Sequence, residues 1–180
     1  MSGPEFSFVL LLRLSCSLCK QLPGSAKRTG PSIVKERSAD QRQLSPSSPP
    51  RLCLPAVVMS GRETYQMSAL VDSGCDFNLI DGNFVKQAGI ALVKLEAPLQ
   101  VTALDGMKLP PITHKTVPLE LVVSGNHRER LSFLIFPVNQ ASVVLGFPWL
   151  QHHNPKINWA DRRIDAWSAS CHSVCLSSAI

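Results

Sequence analysis

Little of this 180-residue chain is aromatic (6%) or charged (17%), and it holds a single tyrosine. A coiled coil or a wholly disordered chain would carry far more charge, so neither describes the whole. No apolar run approaches the roughly 18 to 20 residues that a membrane-spanning helix needs, and no membrane partner is expected. Nor does the length leave room for a large multi-domain enzyme: it fits one domain with a tail, or two very small domains. What remains is an ordinary hydrophobic share of 44%, enough for a core.

The formal net charge of +5 is unevenly placed. Residues 1–50 hold seven basic residues (Arg13, Lys20, Lys27, Arg28, Lys35, Arg37, Arg42) against three acids (Glu5, Glu36, Asp40), a balance of +4. Residues 51–180 hold eleven basic against ten acidic residues, a balance of +1. A pI near 9.0 would invite a nucleic-acid reading, but the excess sits in the leader, so the folded body is not expected to bind nucleic acid.

Residues 24–50 are rich in Ser, Pro, Gly and charge, with Ile33, Val34 and Leu44 as their only large apolar side chains. Such a stretch buries too little surface to offset its ordering entropy, and residues 1–50 are expected to be a disordered leader and linker. Phe6 to Leu18 superficially resembles a secretory signal, yet Glu5 stands where basic residues belong and Arg13 breaks the apolar run. Without a credible signal, a cytoplasmic location is the default expectation, and the six cysteines are expected to be reduced thiols. Cys16 and Cys19 have the spacing of half a zinc site, but Gly24 and Thr29 occupy the positions where a knuckle needs His and Cys. Cys171 and Cys175, near the other end, read as thiols in a terminal segment. No metal or cofactor is expected.

From Arg51 the texture changes to short apolar or alternating segments broken by Gly, Asn, Asp and Pro. Residues 52–59 and 64–71 flank Ser60-Gly61-Arg62-Glu63 as a hairpin. Asp81 is placed to cap a short helix over 83–88 that Gly89 ends. A second hairpin, 99–104 with 107–109, turns at Asp105-Gly106; a third pairs 116–124 with 130–137. Val143-Val144-Leu145 is a short apolar strand ending in Gly146, followed by a helix from Phe147 to His153 that Asn154-Pro155 stops. Residues 157–159 and 163–167 close the domain. The sum is an all-β body with one or two short helices.

The chemistry concentrates at Asp72-Ser73-Gly74, where an apolar strand delivers a carboxylate, a hydroxyl and a residue without Cβ. Alone, such a tripeptide is usually a turn. Its setting, with Phe77-Asn78-Leu79-Ile80 after it, a hairpin about thirty residues on and Val143 to Gly146 near the end, is more specific. Competing sites are weaker. Ser73 lacks the G-x-S-x-G elbow, since Val71 stands two residues before it. Cys75 with His114 or His127 has no nucleophile signature. His152 and His153 read as exposed polar side chains, and Trp149, Trp159 and Trp167 as core.

Asp72-Ser73-Gly74, Phe77 to Asp81, the Val101 to Gly106 hairpin and Val143 to Leu150 together resemble the retropepsin-like aspartic protease of gypsy-type LTR retrotransposons, over about residues 51–168. The resemblance implies a small, closed, all-β domain with one or two short helices, active as a homodimer, with residues 169–180 as a C-terminal tail. Asp72 would be the catalytic aspartate. Ser73 would hydrogen-bond across the subunit interface, Gly74 would permit the loop's close approach, and Leu145 and Gly146 would brace it. Ala103, Leu104, Asp105, Gly106 and Met107 would form a flap over an extended peptide or polyprotein substrate. Cys75 departs from the usual Ala and puts a thiol beside the carboxylate, an expected point of oxidation sensitivity.

Peptide hydrolysis by this chemistry takes two carboxylates about 3 Å apart sharing one proton. No other aspartate of the body has the D-[ST]-G form, so one chain supplies one aspartate and a two-fold pair supplies two. The first expectation is therefore an aspartic endopeptidase, a polyprotein-processing enzyme or its remnant. The alternative is a catalytically silent dimerisation or peptide-binding module of the same fold, motivated by a chain that starts at its own Met1 and carries no replication enzymes after Ile180.

Overall fold

Gly61, at φ +61°, turns the chain between two long strands whose alternation sets the architecture. A computed structural model describes residues 7–9, 51–103, 105–138 and 141–176. The linker expected over 24–50, Cys16 and Cys19, the flap residue Leu104 and residues 177–180 lie outside the described residues. The elements run β1 (Ser7–Val9), β2 (Cys53–Ser60), β3 (Glu63–Val71), β4 (Leu79–Ile80), α1 (Gly82–Gln87), β5 (Leu92–Thr102), β6 (Lys108–Thr116), β7 (Leu119–Val123) and β8 (His127–Leu131). They continue with β9 (Leu134–Ile135), β10 (Val143–Leu145), α2 (Phe147–His153), β11 (Lys156–Asn158), β12 (Arg163–Ala166) and α3 (Ala169–Val174).

The protein is mostly β, with few short helices. Ten strands form one sheet in the order β1-β5-β6-β9-β4-β10-β3-β2-β7-β8, and β11 pairs with β12 apart from it. The sheet's edges, β1 and β8, are not paired with each other among the described residues. β1 falls within the segment expected as leader, and its three residues run parallel to Gln100–Thr102 of β5.

Period-two side-chain placement gives the central strands two buried faces. Ala69, Val71, Ile80, Val143 and Leu145 face a core built with Leu52, with Leu54, Ala56 and Val58 of β2, and with Leu119, Leu121 and Val123 of β7. Their neighbours Leu70, Leu79 and Val144 face the opposite way, into a second cluster with Cys75, Val101, Ile112 and Phe136. A strand buried on both sides reads as an unbroken apolar run, which is what Val143-Val144-Leu145 is.

Asp81 caps α1, its Oδ1 accepting from the N–H groups of Asn83 (2.9 Å) and Phe84 (3.0 Å), and Gly89 at φ +60° takes the chain out. Asn154, left-handed at φ +40°, ends α2. The β5–β6 hairpin is much longer than expected from sequence. Between Leu99 and Val101 on β5 the partner strand takes three steps, from Ile112 to Leu109, a bulge that accommodates Pro110 and Pro111 without breaking the ladder. The third hairpin is tighter than expected. Ser124 (φ +52°) and Gly125 (φ +86°) turn so sharply that His127 already pairs with Val123.

Three expectations for side chains near the end of the chain are corrected. His153 is buried at 2% exposure while its neighbour His152 is exposed, because only one of two adjacent helical side chains can face the core. Trp149 is core, Trp167 is half-buried, and Trp159 is 65% exposed at the β11–β12 turn. Residues expected to be a tail instead fold through Leu176: Ser168 caps α3, Cys171 and Cys175 are buried, and Leu176 bridges to His127.

Candidate active site

β10 lies between β3 and β4, parallel to the first and antiparallel to the second. The chain from Asp72 to Asn78 must therefore loop over the end of β10 to pass from β3 to β4. That crossing is where the Asp72-Ser73-Gly74 segment sits, and hydrogen bonds fix it from both sides. The Asp72 N–H donates to the Leu145 carbonyl (3.0 Å), and the Phe147 N–H donates to the Cys75 carbonyl (2.7 Å). Within the loop, the Cys75 N–H donates to the Asp72 carbonyl (3.1 Å) and the Gly74 N–H to Asp72 Oδ1 (2.9 Å). Asp72 is half-buried and Ser73 exposed, so both remain accessible on a turn that is hydrogen-bonded on either side.

Gly146 is the closest approach in this region. A Cβ there would collide with the carbonyl oxygens of Phe77 and Cys75, both backbone atoms that have no room to yield. Its N–H donates to Asn78 Oδ1 (2.9 Å), which ties the far end of the loop to β10. Asn78 is the residue that sequence reasoning missed. It lay in view within Phe77-Asn78-Leu79-Ile80, but an Asn beside apolar residues reads as a turn signal unless its partner is known.

Cys75 is fully buried, and its thiol donates to the Phe77 carbonyl (3.1 Å). Burial pushes it up to about 12; the hydrogen bond to Phe77 opposes the rise, and the charges of Asp72 and Asp76 add to it. A thiol held neutral inside the core works against the oxidation sensitivity expected of it.

The expected flap is a turn between β5 and β6. The Ala103 N–H donates to the Met107 carbonyl (2.8 Å), the Gly106 N–H to the Ala103 carbonyl (2.9 Å) and the Met107 N–H to Asp105 Oδ1 (2.9 Å), with Gly106 at φ +82°. Ala103 is buried, whereas Asp105, Gly106 and Met107 are exposed. Val101 and Ile112, on the strands just below this turn, share a buried cluster with Cys75, so the turn end of the hairpin packs against the aspartate loop. Among the described residues, no hydrogen bond joins the turn itself to Asp72. Neither a hollow of about 260 Å³ beside Met59 and Pro118 nor one of about 280 Å³ beside Asn78 and His152 is lined by Asp72.

A protein-family model described as the PEG10/RTL1 protease domain matches residues 68–175, well over half of the chain and the whole interval from Asp72 to Cys175. Among solved structures, the chain is similar to the retroviral protease-like domain of Ddi1 from Leishmania major, at 14% identity and a TM-score of 0.47, over 65% of this chain and 87% of that one.

Proposed function

The chain belongs to the PEG10/RTL1 protease domain family, and from that premise we propose that it is an aspartic endopeptidase whose active site is completed by a second copy of itself. The observation that carries this reading is the placement of Asp72, only half-buried, on a loop held to Leu145 and Phe147 on either side of Gly146. Positioned on a rigid element, a carboxylate can be brought against its two-fold mate reproducibly.

Two Asp72 carboxylates about 3 Å apart would share one proton between them. The ionised member takes a proton from water as it attacks the peptide carbonyl; the protonated member gives its proton to the carbonyl oxygen. Ser73, exposed beside Asp72, is suited to hydrogen-bond across the two-fold, and Gly74 to let the loops meet. The turn that brings Ala103 to Met107 would fold over an extended peptide. Backbone pairing would supply affinity, and apolar side chains such as Met107 the specificity. The substrate class is peptide or polyprotein, including the retrotransposon-type polyproteins that the motif order suggests.

The test is cleavage of a peptide library at mildly acidic pH, with the Asp72→Asn protein as control and sedimentation run alongside. Cleavage lost in the variant, with the dimer kept, is the expected result. A wild-type dimer that cleaves nothing would instead mean a silent dimerisation or peptide-binding module, and cleavage that survives Asp72→Asn would refute the assignment.

A further inference from the structure

Far along the chain from Asp72, four side chains from three elements converge in the interior. His127 opens β8, His153 ends α2, and Cys171 and Cys175 lie one turn apart on and just beyond α3. All four are buried, and their ligand atoms lie within 4.8 Å of one another. His127 Nε2 is 3.1 Å from His153 Nδ1, which is in turn 3.3 Å from Cys171 Sγ. A tetrahedral ion with bonds of about 2.0–2.1 Å to nitrogen and about 2.3 Å to sulfur sets its ligand atoms about 3.3–3.8 Å apart, so the two close spacings nearly match and the wider ones, within 4.8 Å, close by about 1 Å or less.

The surroundings are those of ligands held ready. His153 Nε2 lies 3.1 Å from Glu129 Oε2, while Glu129 Oε1 accepts from Trp149 Nε1 (2.6 Å). A carboxylate on the outer nitrogen keeps the proton there and turns the Nδ1 lone pair toward the other three groups, the usual support of a metal-bound histidine. The Ser168 hydroxyl donates to Cys171 Sγ (3.3 Å). Trp167 stacks on the His127 ring, centroids 4.0 Å apart, and Trp149 meets it edge-on, so aromatic walls exclude water. Among the described residues His127 Nδ1 is buried without a hydrogen-bond partner, 3.9 Å from Glu129 Oε1, a cost that folding accepts more readily when the ring's other nitrogen gains a strong bond.

We infer that His127 Nε2, His153 Nδ1 and the thiolates of Cys171 and Cys175 bind one zinc ion. Two soft sulfurs and two imidazoles in tetrahedral reach select zinc over magnesium or calcium, and four protein ligands leave no open position, so the ion is structural rather than catalytic. It pins α3 and the end of α2 to the β7–β8 hairpin. The expectation from sequence that Cys171 and Cys175 are terminal thiols, with no metal, is replaced: the missing ligands were His127 and His153, 44 and 18 residues before Cys171.

The full chain, purified under reducing conditions without added metal, should contain about one zinc per molecule, as folding-coupled structural sites do. Cobalt in its place should show the absorption of a tetrahedral thiolate complex, and a strong chelator should lower the melting temperature. Cys175→Ser should lose the ion, Glu129→Gln should bind it roughly 10- to 100-fold more weakly, and His152→Ala and His172→Ala, both exposed controls, should keep it. A well-folded wild-type chain that is metal-free, takes up no cobalt and melts unchanged with chelator would overturn the inference. So would zinc lost equally from the two control variants. These readouts on the wild-type chain hold even where a ligand variant fails to fold, and they are independent of peptidase activity.

Discussion

Gly146 packs directly against the Phe77 carbonyl, with no space for a side chain between the end of β10 and the crossing loop. The glycine is required here by contact and not by backbone angle, since its φ of −83° suits any residue. Gly146→Ala would have to push backbone against backbone. Its expected cost is at least about 2 kcal/mol, in the upper part of the range for overpacked sites, and it should reduce both the melting temperature and any cleavage. Thermal unfolding of the variant checks this; an unchanged melting temperature would mean that the crossing is looser than described.

Asn78 should matter nearly as much, for a different reason. Its Oδ1 is the acceptor for the Gly146 N–H, and Asn78→Ala leaves that part-buried donor without a partner. A loss of about 1–3 kcal/mol is expected. Denaturant unfolding measures it, and a larger loss in cleavage than in stability would show that Asn78 positions the Asp72 loop.

Cys75 should be inert. With its thiol pushed up to about 12, only about one folded molecule in ten thousand carries the thiolate at pH 8. Alkylation at that pH should label exposed Cys53 and spare Cys75, and peroxide should leave peptidase activity intact. The same shift fixes a sign for stability. The folded state holds the proton more tightly than the unfolded chain, so this contribution is fully present below the ordinary value of 9.0 and is lost as pH rises from there toward about 12. Rapid labelling of Cys75 in the folded protein would contradict the burial.

The strands were legible wherever local chemistry decides. The Gly61 turn, the Asp81 cap with Gly89, and Asn154 before Pro155 each declare themselves within a few residues, and the structure has them there. The β5–β6 hairpin was not legible over its length, because Pro110 and Pro111 look like a stop unless a bulge takes them in. Around Asp72 the tripeptide was visible but its bracing was not. The bonds from Asp72 to Leu145 and from Gly146 to Asn78 join residues about seventy apart, a relation that exists only once β10 enters between β3 and β4. The same holds for His153. On sequence it is one of two adjacent histidines; in the fold it alone turns inward toward Cys171.

The proposal that two chains share one site is tested most directly by mixing wild-type and Asp72→Asn chains at fixed total concentration and measuring cleavage. If each site takes one Asp72 from each chain, mixed dimers are inactive, and the rate should fall as the square of the wild-type fraction. A fall in simple proportion to that fraction would mean that one chain carries a complete site, and would contradict the shared dyad.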